Sequence, residues 1–346
     1  MVYYPLNENI GRKYKMPDKK FSVVGIGNAI VDVIANVDDD FLAKHNMKKG
    51  SMQLVSEDEA RQIYGEIDIV KEMSGGSAAN TIAGLASFGS KTAFIGKVKD
   101  DPLGNVFESG LKSLGVNCNI RKGKVGIPTG YCVVLVTPDV QRTMSTFLGA
   151  SETLGPDDID EDVISDSSIT YLEGYLWGGA ESKKAFLKAI EISHKNGGKT
   201  SLSLSDFLCV NCYRAEFLEL VKKNYIDILF ANEDEIKSLF GEKSFIGAVE
   251  KCRDMKIICV LTRSEKGSVI TCNGSTHTVA ARPPAALVDT TGAGDLYAAG
   301  FLYGLANGKD LSTCGRIGSI AASEVISHFG ARPEKVLSDL INKKVF

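Results

Sequence analysis

Residues Asp289-Thr290-Thr291-Gly292-Ala293-Gly294-Asp295 run into a small-residue, helix-forming stretch at 296–301, and together they combine an anion cradle with a carboxylate. Glycines at 292 and 294 let the backbone turn sharply, so that successive N–H groups converge where the incipient helix presents the positive end of its dipole. Asp295 stands in the first helical turn without a basic neighbour in sequence. Amides that neutralise a migrating phosphoryl group, beside a carboxylate that takes the proton of an attacking hydroxyl, are the parts that phosphoryl transfer to an alcohol requires. A short glycine motif also admits a second reading, in which Asp295 only complements a helix N-terminus.

Other stretches carry chemistry of the same kind. Asp32 lies in the otherwise apolar run Ile30-Val31-Asp32-Val33-Ile34; a carboxylate there needs partners, and a bidentate grip on substrate hydroxyls is one use for it. The preceding Gly25-Ile26-Gly27 starts like a dinucleotide fingerprint, but Ile30 stands where a third glycine or alanine is needed and a second strand follows instead of a helix, which disfavours a nicotinamide enzyme. Ser74-Gly75-Gly76-Ser77-Ala78-Ala79-Asn80 permits close backbone approach at a helix start, with Asn80 offering donor and acceptor to a sugar; an ordinary glycine loop capped by Ser77 is the competing account. The P-loop-like run from Gly84 to Thr92 ends a helix and enters a strand, the reverse of a true P-loop, so Gly89 reads as a helix stop. Asn232-Glu233-Asp234-Glu235 opens a helix behind an apolar strand. Its carboxylates suit magnesium held partly through water, while N-capping by Asn232 explains the same residues. Cys209-Val210-Asn211-Cys212 has metal or redox spacing, but no second pair or neighbouring His completes a tetrahedral set.

The elements that must position these residues follow from the apolar patterning. The chain has 346 residues, 44% hydrophobic and 24% charged, enough for a sizeable core. Strand-like runs at 21–25, 91–98, 169–173, 200–204, 227–231 and 257–262 alternate with helical stretches at 77–88, 103–114, 180–196, 215–223 and 233–240. That alternation predicts an α/β fold of three layers, doubly wound about a mostly parallel sheet, with ligands at the carboxyl ends of the strands. β-type residues at approximately 30–60 and 119–147 break the rhythm and predict a small, discontinuous β-sheet lid on a single unit spanning 1–346. A net charge of −3, with no Arg/Lys block interleaved with aromatics, makes nucleic acid an unexpected partner. The polar N-terminus at 1–20 is expected to be neither a signal peptide nor a span, no later run is apolar enough for a bilayer, and the protein is expected to be cytoplasmic with its eight cysteines reduced.

These pieces, in this order, resemble the ribokinase-like, or PfkB, family of carbohydrate and nucleoside kinases over nearly the whole chain. The carriers are Gly75-Gly76 through Asn80 with Gly84 to Gly89, the N-x-x-E element at Asn232 to Glu235, and an intact D-T-x-G-A-G-D at Asp289 to Asp295. The resemblance implies ATP and Mg2+, and in some relatives K+ held by backbone oxygens. It implies Asp295 as the base and the amides of Gly292, Ala293 and Gly294 as the anion hole. Asp32, Gly75, Gly76 and Asn80 would hold the acceptor, with Arg142 reaching substrate or phosphate from the lid. Asn232 and Glu235 would organise magnesium, and Thr262, Gly267 and Thr291 would contact nucleotide within an ATP site at 225–335. Residues 323–332 fall where relatives line the adenine pocket, His328 being assigned no chemistry. Ser151, in Gly149-Ala150-Ser151, replaces an Asn of the family pattern and puts one polar contact in question.

The runs Thr146 to Ser151, Glu173 to Trp177 and Ser205-Asp206-Phe207 look most like the adenosine-kinase-like bacterial branch. Adenosine is therefore the first acceptor expected, with Phe147 and Trp177 as candidates for a purine slot; ribose, fructose or another ketose or sugar phosphate stays open. A non-catalytic nucleotide or sugar sensor on the same fold is a further alternative, against which the intact Asp295 speaks. Monomer and homodimer are both open.

Overall fold

Val23 and Val24, Leu202, Leu229, Val260 and Leu261 are all fully buried, and runs apolar on both faces form the interior of a parallel sheet. The computed structural model describes residues 16–118, 120–123, 126–139 and 141–341. Its main sheet has nine strands among the described residues, in the order Ser275–Val279, Ser268–Cys272, Ile258–Thr262, Ile228–Asn232, Lys199–Ser203, Ser167–Glu173, Phe21–Ile26, Thr92–Ile95 and Asn117–Cys118. From Ile258–Thr262 to Asn117–Cys118 every neighbour pairs in parallel; Ser268–Cys272 and Ser275–Val279 return antiparallel at the other edge.

Alternate residues of each strand feed two separate cores, which is why helices cover both faces. Val23, Ile169, Ile228 and Val260 pack with helices Ser77–Ser87, Ala293–Ala306 and Leu311–Val325. Val24, Leu202, Leu229 and Leu261 pack with Ala180–Lys195, Phe207–Lys222, Glu233–Phe240 and Phe245–Arg253 on the opposite face. The three layers and mostly parallel sheet are those expected. Phe21–Ile26 lies between Thr92–Ile95 and Ser167–Glu173, so the chain winds away from it in both directions. A crevice opens at the carboxyl ends of strands at such a reversal.

A second, five-stranded sheet has the order Met52–Leu54, Arg142–Gly149, Thr129–Val136, Ile30–Asn36 and Ile69–Ser74. Ile69–Ser74 lies outside the two segments that patterning marked for the small sheet. Arg121–Gly123 pairs with Lys97–Lys99 in a separate two-stranded ribbon instead of joining it. Residues 119, 124, 125 and 140 of the expected lid, and residues 1–15, on which the expectation of a non-signal N-terminus mainly rests, lie outside the described residues.

Two boundaries differ from expectation for local reasons. The run at 91–98 divides at Gly96 into Thr92–Ile95 and Lys97–Lys99. The helix expected at 215–223 starts at Phe207, because Asp206 accepts from the Cys209 amide (2.6 Å) as an N-cap, and it kinks at Tyr213. Cys209 and Cys212 thus sit in a helix, the first buried and the second exposed, and none of the eight cysteines is in a disulfide. Among the described residues no group of three His, Cys, Asp or Glu is placed to hold a metal, and no helix is long and apolar enough to cross a membrane.

Candidate active site

Gly292 takes φ 77° and ψ 0° as N-cap of helix Ala293–Ala306. A side chain there would be strained and would also run into Ala331, so only glycine lets the loop double back beneath this helix. The Ala293 amide is turned onto the Thr290 carbonyl (3.2 Å), while the amides of Gly294 and Asp295 stand in the first turn, where no helical carbonyl precedes them. Gly294 is exposed, and a Cβ added to it would meet nothing within 4 Å. The cradle therefore faces open space.

Asp295 does not cap its own helix. Its Oδ1 accepts from Ser77 Oγ (2.6 Å) and its Oδ2 from Asn80 Nδ2 (3.2 Å), both on helix Ser77–Ser87. Burial raises its carboxyl to about 6, against the lowering effect of those two hydrogen bonds, yet part of its surface stays open to solvent. Ser77, the N-cap of the competing account, is instead the first helical residue after Gly76, and its hydroxyl donates to Asp295. The helix start is capped from elsewhere: Glu173, at the end of Ser167–Glu173, accepts from the Ala78 amide (2.8 Å) and from Asn28 Nδ2 (2.7 Å). Glu173 is itself raised to about 7 by burial.

Asp32 comes to the same corner from the small sheet. A Cβ on Gly75 would fall inside its carboxylate, which explains the glycine. Burial raises Asp32 to about 6, Arg332 and Arg142 lower it, and Asp295 raises it by repulsion. Asn80 is buried, and its Oδ1 accepts from Arg332 Nε (3.3 Å). The structure thus gathers Asp32, Gly75, Gly76, Asn80 and Asp295, residues separated by up to 263 positions in the chain.

Arg142, which could have been a surface charge, is largely covered. Its Nη1 pairs with Asp289 Oδ2 (2.6 Å), and its guanidinium lies 5.2 Å from the centre of the Phe329 ring. Asp289 also accepts from the amide and hydroxyl of Thr291 and from the Gly330 amide, so the Thr291 hydroxyl faces Asp289. The small sheet is thereby tied to the loop that carries the cradle.

Asn232 and Thr262 are register partners at the carboxyl ends of adjacent strands. Asn232 Oδ1 accepts from the Asp234 and Glu235 amides, and Glu235 accepts from the Asn232 amide (2.9 Å) and side chain (2.5 Å). This is a complete capping box. Glu235 is buried and raised to about 7, with Asp206 and Asp234 adding repulsion. Because both Glu235 oxygens are engaged, the donor set fits a metal held through water and phosphate oxygens rather than a direct protein cage. Gly267 closes a turn in which Arg263 pairs with Glu233 (2.9 Å), holding that turn beside the same helix start. Burial first, and then the charges of Asp206, Asp295, Glu173 and Glu235, push the Tyr175 hydroxyl up.

Two expectations fail. Trp177 is buried between Phe186 and Phe217, with its Nε1 on Glu216, and Phe147 is buried against Tyr131. Neither stands as a purine slot, because each is packed among the apolar side chains of a core. Ser151 keeps a polar contact where the family Asn was missing, donating to Asn28 Oδ1 (3.0 Å) and Leu148 O (2.5 Å). Glu173, Asn28 and Arg332 escaped sequence reasoning as site residues. Glu173 was findable, being a lone charge at the end of an apolar strand as Asp32 is within one.

A family model described as pfkB family carbohydrate kinase matches residues 21–336. Adenosine kinase from Sinorhizobium meliloti has a similar structure, with a TM-score of 0.86 and 43% identity over 94% of this chain and 99% of that one. A probable sugar kinase from Rhizobium etli CFN 42 gives 0.88 and 40% over the same shares. In sequence, 5-dehydro-2-deoxygluconokinase of Bacillus licheniformis is 27% identical over 90% of this chain and 91% of its own. With the D-T-x-G-A-G-D cradle, its carboxylate and the N-x-x-E turn set around one crevice of a ribokinase-like fold, the chain belongs to the pfkB family of carbohydrate kinases.

Proposed function

We propose that this kinase moves the γ-phosphoryl group of ATP to a primary hydroxyl of a nucleoside, adenosine first, with Asp295 as the base. The observation that carries this is the Asp295 carboxylate, fixed by Ser77 and Asn80, open on one side and set in the first turn of a helix whose cradle faces space. Asp32, Gly75, Gly76 and Asn80 hold the acceptor hydroxyls, and Arg142 meets phosphate or substrate on leaving Asp289. The amides of Gly292 and Gly294 neutralise the migrating group, while Ala293, its amide held by the Thr290 carbonyl, shapes the cradle between them. Asn232, Glu235, Thr262, Gly267 and Thr291 serve the nucleotide, the first two holding magnesium through water. Magnesium supplies charge neutralisation across the phosphate oxygens. Positioning and electrostatics do the remaining work, since phosphoryl transfer asks little covalent chemistry of the protein.

One observation favours a second acceptor class. With Phe147 and Trp177 closed in core, the corner is polar, and the Arg332 guanidinium bonds to Asn80 and lowers Asp32 by its charge. That suits a free sugar or sugar phosphate. Thermal-shift measurements with adenosine, D-ribose, D-fructose and fructose 6-phosphate, each with a nonhydrolysable ATP analogue, followed by coupled ADP release, decide between them. Adenosine is expected to raise the melting temperature most and to release ADP. Turnover of a sugar and not adenosine moves the assignment to the second class, and binding without ADP release returns the sensor alternative.

A further inference from the structure

The family resemblance sets 323–332 along the adenine pocket, while the Arg332 side chain reaches helix Ser77–Ser87 and the small sheet. Its Nε donates to Asn80 Oδ1 (3.3 Å) and its Nη1 to Ser74 Oγ (2.7 Å), while Nη2 is buried without a partner. An asparagine amide has one oxygen and one NH2 group. With Oδ1 held by the guanidinium, Nδ2 is directed at Asp295 Oδ2. Ser74 ends a strand of the small sheet and pairs with Val31, next to Asp32. One guanidinium thus joins the small sheet, the helix Ser77–Ser87 and the corner where both aspartates stand.

We propose that Arg332 is a positioning residue of the acceptor side: its fork sets the Asn80 amide toward Asp295, and its charge stands opposite Asp32. The inference rests on the reading of Asp295 as base and of Asp32 and Asn80 as acceptor contacts. Lysine cannot take over, because a single ammonium does not reproduce a planar fork on two fixed acceptors. Asp32 faces Arg332, Arg142 and Asp295, with the Cys132 thiol also near, and Arg332 faces Asp32 and Cys118.

Full-length Arg332→Lys and Arg332→Gln, read two ways, test this. In the acceptor-free protein, 13Cγ titration of Asp32 is expected to move upward by about one pH unit in Arg332→Gln and to stay near the wild-type midpoint in Arg332→Lys, which keeps the charge. In coupled ADP release with adenosine, kcat is expected to fall by roughly tenfold or more in both variants, with the KM for ATP held within about twofold. An unmoved Asp32 midpoint in Arg332→Gln, or a raised KM for ATP with kcat intact, overturns the inference and returns Arg332 to packing or to the nucleotide. A wild-type protein that turns over none of adenosine, D-ribose or D-fructose counts against the acceptor reading instead, and the titration alone then decides on Arg332.

Discussion

A carboxylate serves as a base only while ionised, and at Asp295 two effects oppose each other. Burial favours the neutral acid and brings the group to about 6, while the Ser77 hydroxyl and the Asn80 amide favour the charged form. The result is a base ionised at neutral pH and still close enough in affinity to accept an alcohol proton in flight. Asp295→Asn keeps the size of the side chain and removes the proton acceptor. Its turnover is expected to drop roughly 10²–10⁴-fold in coupled ADP release, with an unchanged circular dichroism spectrum. Turnover within tenfold of wild type would leave Asp295 a helix-terminus residue only.

The start of helix Ser77–Ser87 belongs to the catalytic arrangement, because it carries both groups that hold Asp295, and its cap comes from another strand. Glu173 needs both oxygens as acceptors, one for the Ala78 amide and one for Asn28. In Glu173→Gln one of those oxygens becomes an NH2 facing a donor, at a cost of about 1–3 kcal/mol. Chemical denaturation should show that loss, and kcat should fall with it as Ser77 shifts; an unchanged denaturation midpoint would show that Glu173 does not hold the helix. The same comparison shows what was legible in sequence. The cradle could be read because Asp289 to Asp295 is contiguous, and the strands because alternate residues must fill two cores. Glu173 meets Ala78 across 95 positions and Arg332 meets Asn80 across 252, with no local pattern recording either pairing. Phe147 and Trp177 misled because an aromatic that fills core and one that lines a pocket are the same letter. Ile69–Ser74 went unmarked since Ile69, Val70 and Lys71 are all exposed, without the alternation of a half-buried strand.

Across the whole molecule, activity and stability are expected to oppose each other in pH. Asp32 and Asp295 are raised from 3.8 to about 6, and Glu173 and Glu235 from 4.5 to about 7, in each case first by burial. For such groups the folded chain binds the proton more tightly than the unfolded one. The stability this confers is fully present below the unfolded value and is lost as pH rises through 6 and 7. For the deeply buried Glu173 and Glu235 the slope is up to about 1.4 kcal/mol per pH unit each, between the unfolded and folded values. The depressed carboxylates Glu66 and Asp139, both brought to about 2 first by hydrogen bonds from lysine, act only below the ordinary carboxylate range. His277, lowered by burial, opposes the trend weakly below 6.5. Melting temperature is therefore expected to peak at about pH 4 and to decline from pH 5 toward pH 7.5, while kcat/KM rises over the latter interval as Asp295 and Asp32 ionise. Differential scanning fluorimetry and ADP release in one buffer series measure both. A melting temperature that climbs steadily from pH 5 to 7.5 would mean that these four carboxylates are already ionised on folding, and the acid limb of activity would then need another group.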